Sequence, residues 1–295
     1  MKKVSIIMPV YNMQRFIGQA IESVIVQSFL DYELIIVDDG SVDGSKTIID
    51  GFIDKYGATV SILYHYQQNQ GLACARNTAI NISIGEFIAL LDPDDIWTSD
   101  RLQKGVDILD RYSDVGLVHA NIVFIDEHGA QVGVPQRNAP ILSGDLFETL
   151  LFRKGNISCP TVLFRRECLE KAGLFDENLT YLGCEDRDLW LRISRHYKIK
   201  YIEKELAYYR RVTGSMSSNS EKMFQARTYV VDKNAKGLFR RKGYAAIYKE
   251  MADNHAYQLE YRRAINNYLI SLSYWPFNLK AMLGTAKTAL KYLLR

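Results

Sequence analysis

The sequence predicts an α/β protein with a mostly parallel sheet, followed by a helical C-terminal extension. Three observations lead there. Short β-branched runs alternate with single helical stretches through the first hundred residues, the pattern of βαβ units with a sheet covered on both faces. The acidic clusters of this region fall directly after strands, at the edge where open α/β sheets bind their ligands. Beyond residue 209 the pattern turns wholly helical, which sets a boundary near 215–220 and divides the chain into 1–215 and 216–295.

In chain order, 4–10 is a buried-strand run, and 14–27 has helical spacing carried by Phe16, Ile17, Ala20, Ile21 and Val24. A second strand at 33–37 is ended by Asp38-Asp39-Gly40-Ser41. Residues 45–56 read as a helix, 60–66 as a strand and 71–84 as a helix. A fourth strand at 86–91 is stopped by Asp92-Pro93-Asp94-Asp95. The middle is less regular: a strand at 115–125, a Gly- and Pro-bearing loop at 126–140, a strand at 161–164, and helices at 166–171 and 185–195.

With 295 residues, the chain has room for one large α/β domain and an appendage. An apolar share of 47% and a charged share of 24% are ordinary for a globular protein. The net charge of +3 is unevenly spread: residues 221–295 carry 14 Lys/Arg against 5 Asp/Glu, leaving −6 on the rest. A basic tail on an acidic body points to different partners, a metal ion for one and an anionic surface for the other. A solvated helical surface is the plainer reading of the tail. Cys74, Cys159, Cys168 and Cys184 form no C-x-x-C pair, which fits a reducing compartment. The N-terminus lacks the length and cleavage site of a signal peptide, and no run of about 18 apolar residues exists to span a bilayer. The expectation is a cytoplasmic protein, with contact to the cytoplasmic membrane at most peripheral.

Four stretches carry chemistry. Asp92-x-Asp94 ends an apolar strand, where a hard divalent cation can be bridged to a diphosphate. Alone such a pair is weak evidence, since acidic loops are commonly solvated. Asp38-Asp39-Gly40-Ser41 supplies two adjacent carboxylates, more than a turn or helix cap requires. Pro9-Val10-Tyr11-Asn12 adds a ring on which a base can stack. Gly71 to Asn77 places Arg76 in the opening turns of a helix. Farther on, Glu185-Asp186-Arg187-Asp188 puts three acids at a helix start, where one favourable charge would be enough. The five histidines have no ligand spacing, so zinc is not expected.

In this order and spacing the motifs resemble those of family 2 glycosyltransferases of the GT-A type, a Rossmann-like nucleotide-diphospho-sugar transferase fold. The likeness runs to about Ser217 and includes Gly173-Leu174-Phe175-Asp176 and the Glu185-Asp186 pair. It implies a non-processive, inverting enzyme that moves one sugar from a nucleotide-sugar, usually a UDP-sugar, to an acceptor hydroxyl in glycan or polysaccharide synthesis. Pro9, Tyr11 and Asp39 would hold the base, Asp92 the ribose, and Asp94 the Mg²⁺ or Mn²⁺ on the diphosphate. Asp186 would be the base, with Glu185 the alternative. Arg76 would lie near the nucleotide or brace Asp38. Arg210 would belong to a loop closing over the donor, although Val212 and Thr213 stand where many relatives carry histidine.

Other classes fit less well. A dinucleotide-dependent oxidoreductase needs a G-x-G-x-x-G turn that Pro9-Val10-Tyr11-Asn12-Met13 does not supply. A nucleotidyltransferase needs a Gly-rich phosphate loop, and polymerising relatives carry membrane helices and a Q-x-x-R-W motif; none is present. The non-enzyme alternative is a degenerate protein that binds nucleotide-sugar without turnover. Nucleic acid is not among the expected partners.

The last helical stretch, 277–295, has an apolar stripe through Leu279, Met282, Leu283, Ala286, Leu290, Leu293 and Leu294. Lys280, Lys287, Lys291 and Arg295 fall along one margin, with Ala281, Thr285, Thr288 and Tyr292 on the far side. Such a face suits a helix in the headgroup layer of an anionic membrane, where a lipid-linked acceptor would be found. The alternatives are packing against the preceding helix, or against a second copy in a homodimer.

Overall fold

The computed structural model describes residues 2–133, 142–212 and 219–294. The chain divides into two compact units, 1–147 with 155–219, and 148–154 with 220–295. Most of the boundary region expected near 215–220, and the latter half of the 126–140 loop, lie outside the described residues.

The first unit is built on an eight-stranded mixed sheet with the order β3-β2-β1-β4-β7-β6-β8-β5. The strands are β1 (Val4–Val10), β2 (Tyr32–Asp38), β3 (Ser61–Tyr66), β4 (Phe87–Leu90), β5 (Ile96–Trp97), β6 (Val115–Ile125), β7 (Leu163–Arg165) and β8 (Lys198–Arg210). Neighbours β3, β2, β1 and β4 run parallel, as do β6 and β8, while β7 and β5 pair antiparallel with their neighbours. Both β1 and β2 are buried along their whole length, which is what central parallel strands covered on both faces require.

The helices of this unit are α1 (Ile17–Ile25), α2 (Ser45–Tyr56), α3 (Leu72–Ile82), α4 (Arg101–Arg111), α6 (Cys168–Ala172) and α7 (Glu185–Ile193); α5 (Phe147–Leu151) crosses the division of the chain. Ile17, Ala20, Ile21 and Val24 of α1 join Val4, Ile6, Met8, Leu34 and Ile36 in the main core. Several elements were not anticipated, the short α5 among them. Leu102, Val106 and Leu109 of α4 are buried at helical spacing, a signal the sequence does contain. Strand β8 hides its alternation behind register shifts against β6, as bulges do. Strand β5 is two residues long, below any periodicity.

The second unit holds α8 (Ser220–Asn234), α9 (Gly237–Tyr257), α10 (Tyr261–Tyr274) and α11 (Leu279–Leu293). Its buried cluster is small, Ala252, Ala264, Tyr268 and Ala281, with Ala256 and Leu272 against it. Helix α11 packs through Ala281 and Thr288. Gly284 lies so close to Tyr268 that an added Cβ would meet its ring at 2.4 Å. The leucine stripe therefore does not pack on α10; it points the other way.

Candidate active site

The site is laid out by where strand pairing stops. Pairing of β1 with β4 ends at Ile7↔Leu90, whereas pairing with β2 continues to Val10↔Asp38. Ile7 still accepts from the Leu91 amide. Two residues on, Pro9 turns its backbone to the same side, where no donor is needed. The gap between β1 and β4 is also where the strand order reverses, the usual ligand crevice of open α/β sheets. Tyr11 follows, 49% exposed. Asn12 takes a left-handed conformation, φ 55°, accepts from the Val42 amide and donates its own amide to Ser41, tying this loop to the one after β2.

The two acids after β2 hold backbone in place. The Asp38 carboxylate accepts from the Ser41 amide at 2.8 Å and the Tyr64 hydroxyl at 2.9 Å. Burial and that bond push the Tyr64 hydroxyl well above its ordinary range. Arg76 does not reach Asp38, so the expected brace is corrected: Tyr64 and Ser41 supply it. The Asp39 carboxylate, buried, accepts from Gln67 Nε2 at 2.7 Å and from the amides of Gln70 and Gly71 at 2.9 and 2.7 Å. It thereby pins the link from β3 to α3. Gly71 sits at φ +87°, and a Cβ there would come within 2.0 Å of Thr180, so both conformation and space demand glycine. Gln67 and Tyr64 were not foreseen, because no spacing rule ties them to the acids after β2.

Arg76 is the hub. Buried in α3, it donates to Asp92 at 2.6 Å and to Glu185 at 2.5 Å, and approaches the Cys159 sulfur at 3.4 Å. Phe175 lies under its guanidinium at 5.4 Å. Both terminal nitrogens are taken, and Nε has no hydrogen-bond partner among the described residues. Burial works against its charge, but Asp92 and Glu185 more than offset this and hold it firmly protonated.

The first turn of α7 carries Glu185, Asp186 and Asp188, reached through Cys184 in a left-handed conformation, φ 63°. Each acid has a different environment. Glu185 takes Arg76. Asp188, fully buried, takes Arg192 one turn on at 2.8 Å. Among the described residues, Asp186 accepts from the Arg187 amide alone, at 2.6 Å. Burial and the neighbouring Glu185 raise its pKa to about 7, with Arg76 pulling the other way.

In the loop after β4, Asp94 is pushed up to about 6 by burial and by Asp92, and its carboxylate accepts no hydrogen bond from a described side chain. Asp95 is buried and takes the Arg210 amide at 2.9 Å. Burial and the adjacent Asp94 and Asp92 raise it further. Among the described residues no group of three or more His, Cys, Asp or Glu converges as a ready-made metal site. A cation held by one or two carboxylates, waters and a diphosphate does not need one, and Asp94, whose charge is disfavoured by burial and by Asp92, fits that donor set. Arg210 is buried. It donates to the Asp94 and Asp126 carbonyls and to Gln19 at 2.8, 3.0 and 2.7 Å, so its side chain ties two loops to α1. The loop expected to follow it, 213–218, lies outside the described residues.

Residues 5–173 match the profile described as Glycosyl transferase family 2. This chain belongs to that family. An uncharacterized glycosyltransferase of Nostoc sp. is 32% identical over 255 residues, 83% of this chain and 78% of the relative. One from Rickettsia felis is 32% identical over 205 residues, 70% of this chain but only 32% of that longer protein. Among solved structures, S. aureus TarS 1-349 in complex with UDP-GlcNAc has a TM-score of 0.66 at 20% identity, covering 97% of this chain and 89% of that one. The mannosyltransferase PcManGT from Pyrobaculum calidifontis, in complex with GDP-Man and Mn²⁺, has a TM-score of 0.66 at 18% identity, covering 99% and 80%. The fold of this family 2 glycosyltransferase is thus GT-A.

Other polar and aromatic residues of the glycosyltransferase are structural. Trp97 is buried and donates to the Pro160 carbonyl at 2.7 Å, with Arg101 4.2 Å from its ring. His119, buried against Tyr201 and the Leu142 carbonyl, is driven down to about 4 by burial and so stays neutral.

Proposed function

We propose that the chain transfers one sugar, with inversion, from a nucleotide-sugar to an acceptor hydroxyl, and that Asp186 is the base. The observation that carries this reading is the division of labour in the first turn of α7: Arg76 and Arg192 claim Glu185 and Asp188, leaving Asp186 with no ion pair among the described residues and with a pKa of about 7. A base titrating near the working pH combines the right protonation state with useful proton affinity. The acceptor hydroxyl gives its proton to the Asp186 carboxylate as its oxygen attacks the anomeric carbon. The bond to the diphosphate breaks on the opposite face, and its electron pair leaves with the diphosphate.

Around that step, Tyr11 offers a ring for the base beside Pro9. A carboxylate has about four acceptor positions; three on Asp39 are used, which leaves one for a base N–H. Asp92, held by Arg76, faces the ribose, so Arg76 acts one step behind the nucleotide. Asp94 would hold Mn²⁺ or Mg²⁺, which when bound supplies positive charge against the leaving diphosphate. The UDP-GlcNAc of TarS and the GDP-Man and Mn²⁺ of PcManGT support a nucleotide-sugar donor and a metal; we take UDP as the nucleotide. Residues 1–215 form the catalytic part and 216–295 the extension, with a glycan or lipid-linked acceptor in polysaccharide synthesis.

The test is donor hydrolysis and transfer across UDP- and GDP-sugars with and without Mn²⁺, for the native chain and Asp186→Asn. A native chain that binds donor but neither hydrolyses nor transfers it would make the protein a binder.

A further inference from the structure

We propose that the outer face of α11 docks on an anionic lipid surface. The helix is built the reverse of an ordinary surface helix. Its small and polar positions, Ala281, Gly284, Thr285 and Thr288, face the unit's interior, with Ala281 in the buried cluster and Gly284 against Tyr268. Leu279, Met282, Leu283, Leu290, Leu293 and Leu294 lie between 49% and 79% exposed. At 100° per residue these six fall within about a third of the helix circumference. A surface helix of a globular protein normally turns that stripe to the core. Here the core beneath is made of alanines and one tyrosine, and the large side chains are outside it.

Charge selects the occupant. Lys280, Lys287 and Lys291 line one margin of the exposed face, and no acidic residue occurs from 279 to 294. Long lysine stems lie along apolar surface while the ammonium stays in water, the arrangement for reaching phosphates above an acyl layer. A second copy of the chain suits this face less well: an antiparallel pair would set the two lysine margins side by side with no acid on the helix to offset them. A protein partner would have to bring its own acids, whereas an anionic bilayer presents them everywhere. The apolar face alone gives partition without lipid selectivity; the lysine margin adds selectivity and salt sensitivity. The proposal stands on this helix and not on the transfer chemistry.

Flotation with vesicles of phosphatidylglycerol and phosphatidylcholine, against pure phosphatidylcholine, tests it on the full chain without donor or acceptor. The intact protein should float with the anionic vesicles about tenfold more than with neutral ones at low salt, and lose most of that difference when the salt is raised. Leu283→Ser/Leu290→Ser/Leu294→Ser, at exposed positions, should keep the melting temperature and abolish flotation. Lys280→Gln/Lys287→Gln/Lys291→Gln should abolish the preference for anionic lipid. Absence of flotation at low salt overturns the proposal, as does equal flotation of the leucine variant. A dimer in solution that the leucine variant dissociates, with no flotation, would assign the face to a second copy instead.

Discussion

Arg76 and Glu185 meet at 2.5 Å in the interior although 109 positions separate them. This contact, with the bond from Arg76 to Asp92, ties the loop after β4 to the start of α7, and it decides which acid of α7 is left to react. Losing one partner of a buried pair costs far more than the pair contributes, because the remaining charge keeps its desolvation penalty. Arg76→Met should therefore destabilise the protein by about 3–5 kcal/mol, and Glu185→Gln, which keeps a carbonyl acceptor, by less. Denaturant melts check this; an Arg76→Met midpoint equal to that of the native chain would show that the bridge contributes nothing.

Asp186→Asn should give two opposite effects. Turnover falls by about 10²-fold or more, as for loss of a general base, while donor affinity holds. Stability at neutral pH rises, because a buried carboxylate beside Glu185 is replaced by a neutral group. If Glu185→Gln causes the large loss of turnover and Asp186→Asn does not, the assignment of the base is reversed.

The pH dependence follows from the same group. Its pKa is raised from 3.8 to about 7, so the folded chain binds this proton more tightly than the unfolded one. Between those values the native state is protonated and the unfolded state is not, so this group's contribution to stability is full below the unfolded value, declines as pH rises from there, and is lost by the time pH passes about 7. Activity runs the other way, since the base works deprotonated: kcat should climb with pH to a plateau above about 7. A rate profile flat from pH 5 to 8 in the native chain would contradict the assignment.

Asp94→Asn should leave the fold intact, or slightly more stable, by removing a carboxylate that Asp92 and burial already disfavour. A donor in about hundredfold excess over its dissociation constant adds about 2.7 kcal/mol to apparent stability. The part of that shift that requires Mn²⁺ should vanish in the variant. An undiminished Mn²⁺-dependent shift would place the metal elsewhere.

Gly71→Ala should destabilise through two separable causes. The extended positive-φ conformation of Gly71, φ 87° and ψ 172°, costs about 1–3 kcal/mol for a residue with a Cβ. The clash with Thr180 at 2.0 Å adds an overpacking cost of about 1–3 kcal/mol. Thr180→Ala in the same chain should recover the second part and leave the first. Full recovery, or none, would show that one cause acts alone.

The sequence by itself determined the first sheet half and the place of the site. Strands at 4–10, 33–37, 60–66 and 86–91 appear within a residue or two of expectation, because short apolar runs between helices have one local solution. Parallel strands joined by helices must end at one edge, so Asp38, Asp39, Asp92 and Asp94 were bound to gather there. The pairing of β6 with β8 and the reversed β7 could not be read locally, since a strand's partner is set by distant residues.

Tertiary structure alone decided the pairing of charges and the direction of α11. Glu185, Asp186 and Asp188 are alike in a list of residues; they differ because Arg76 arrives from α3 to pair with the first, Arg192 pairs with the third, and the second has no ion pair among the described residues. Likewise, periodicity reveals that α11 has an apolar face, but not which face is covered. That was decided by Gly284 and Ala281, whose missing side-chain bulk lets the helix approach Tyr268 and turns the leucines outward. A pattern specifies which residues share a side, while only close packing specifies what lies against it.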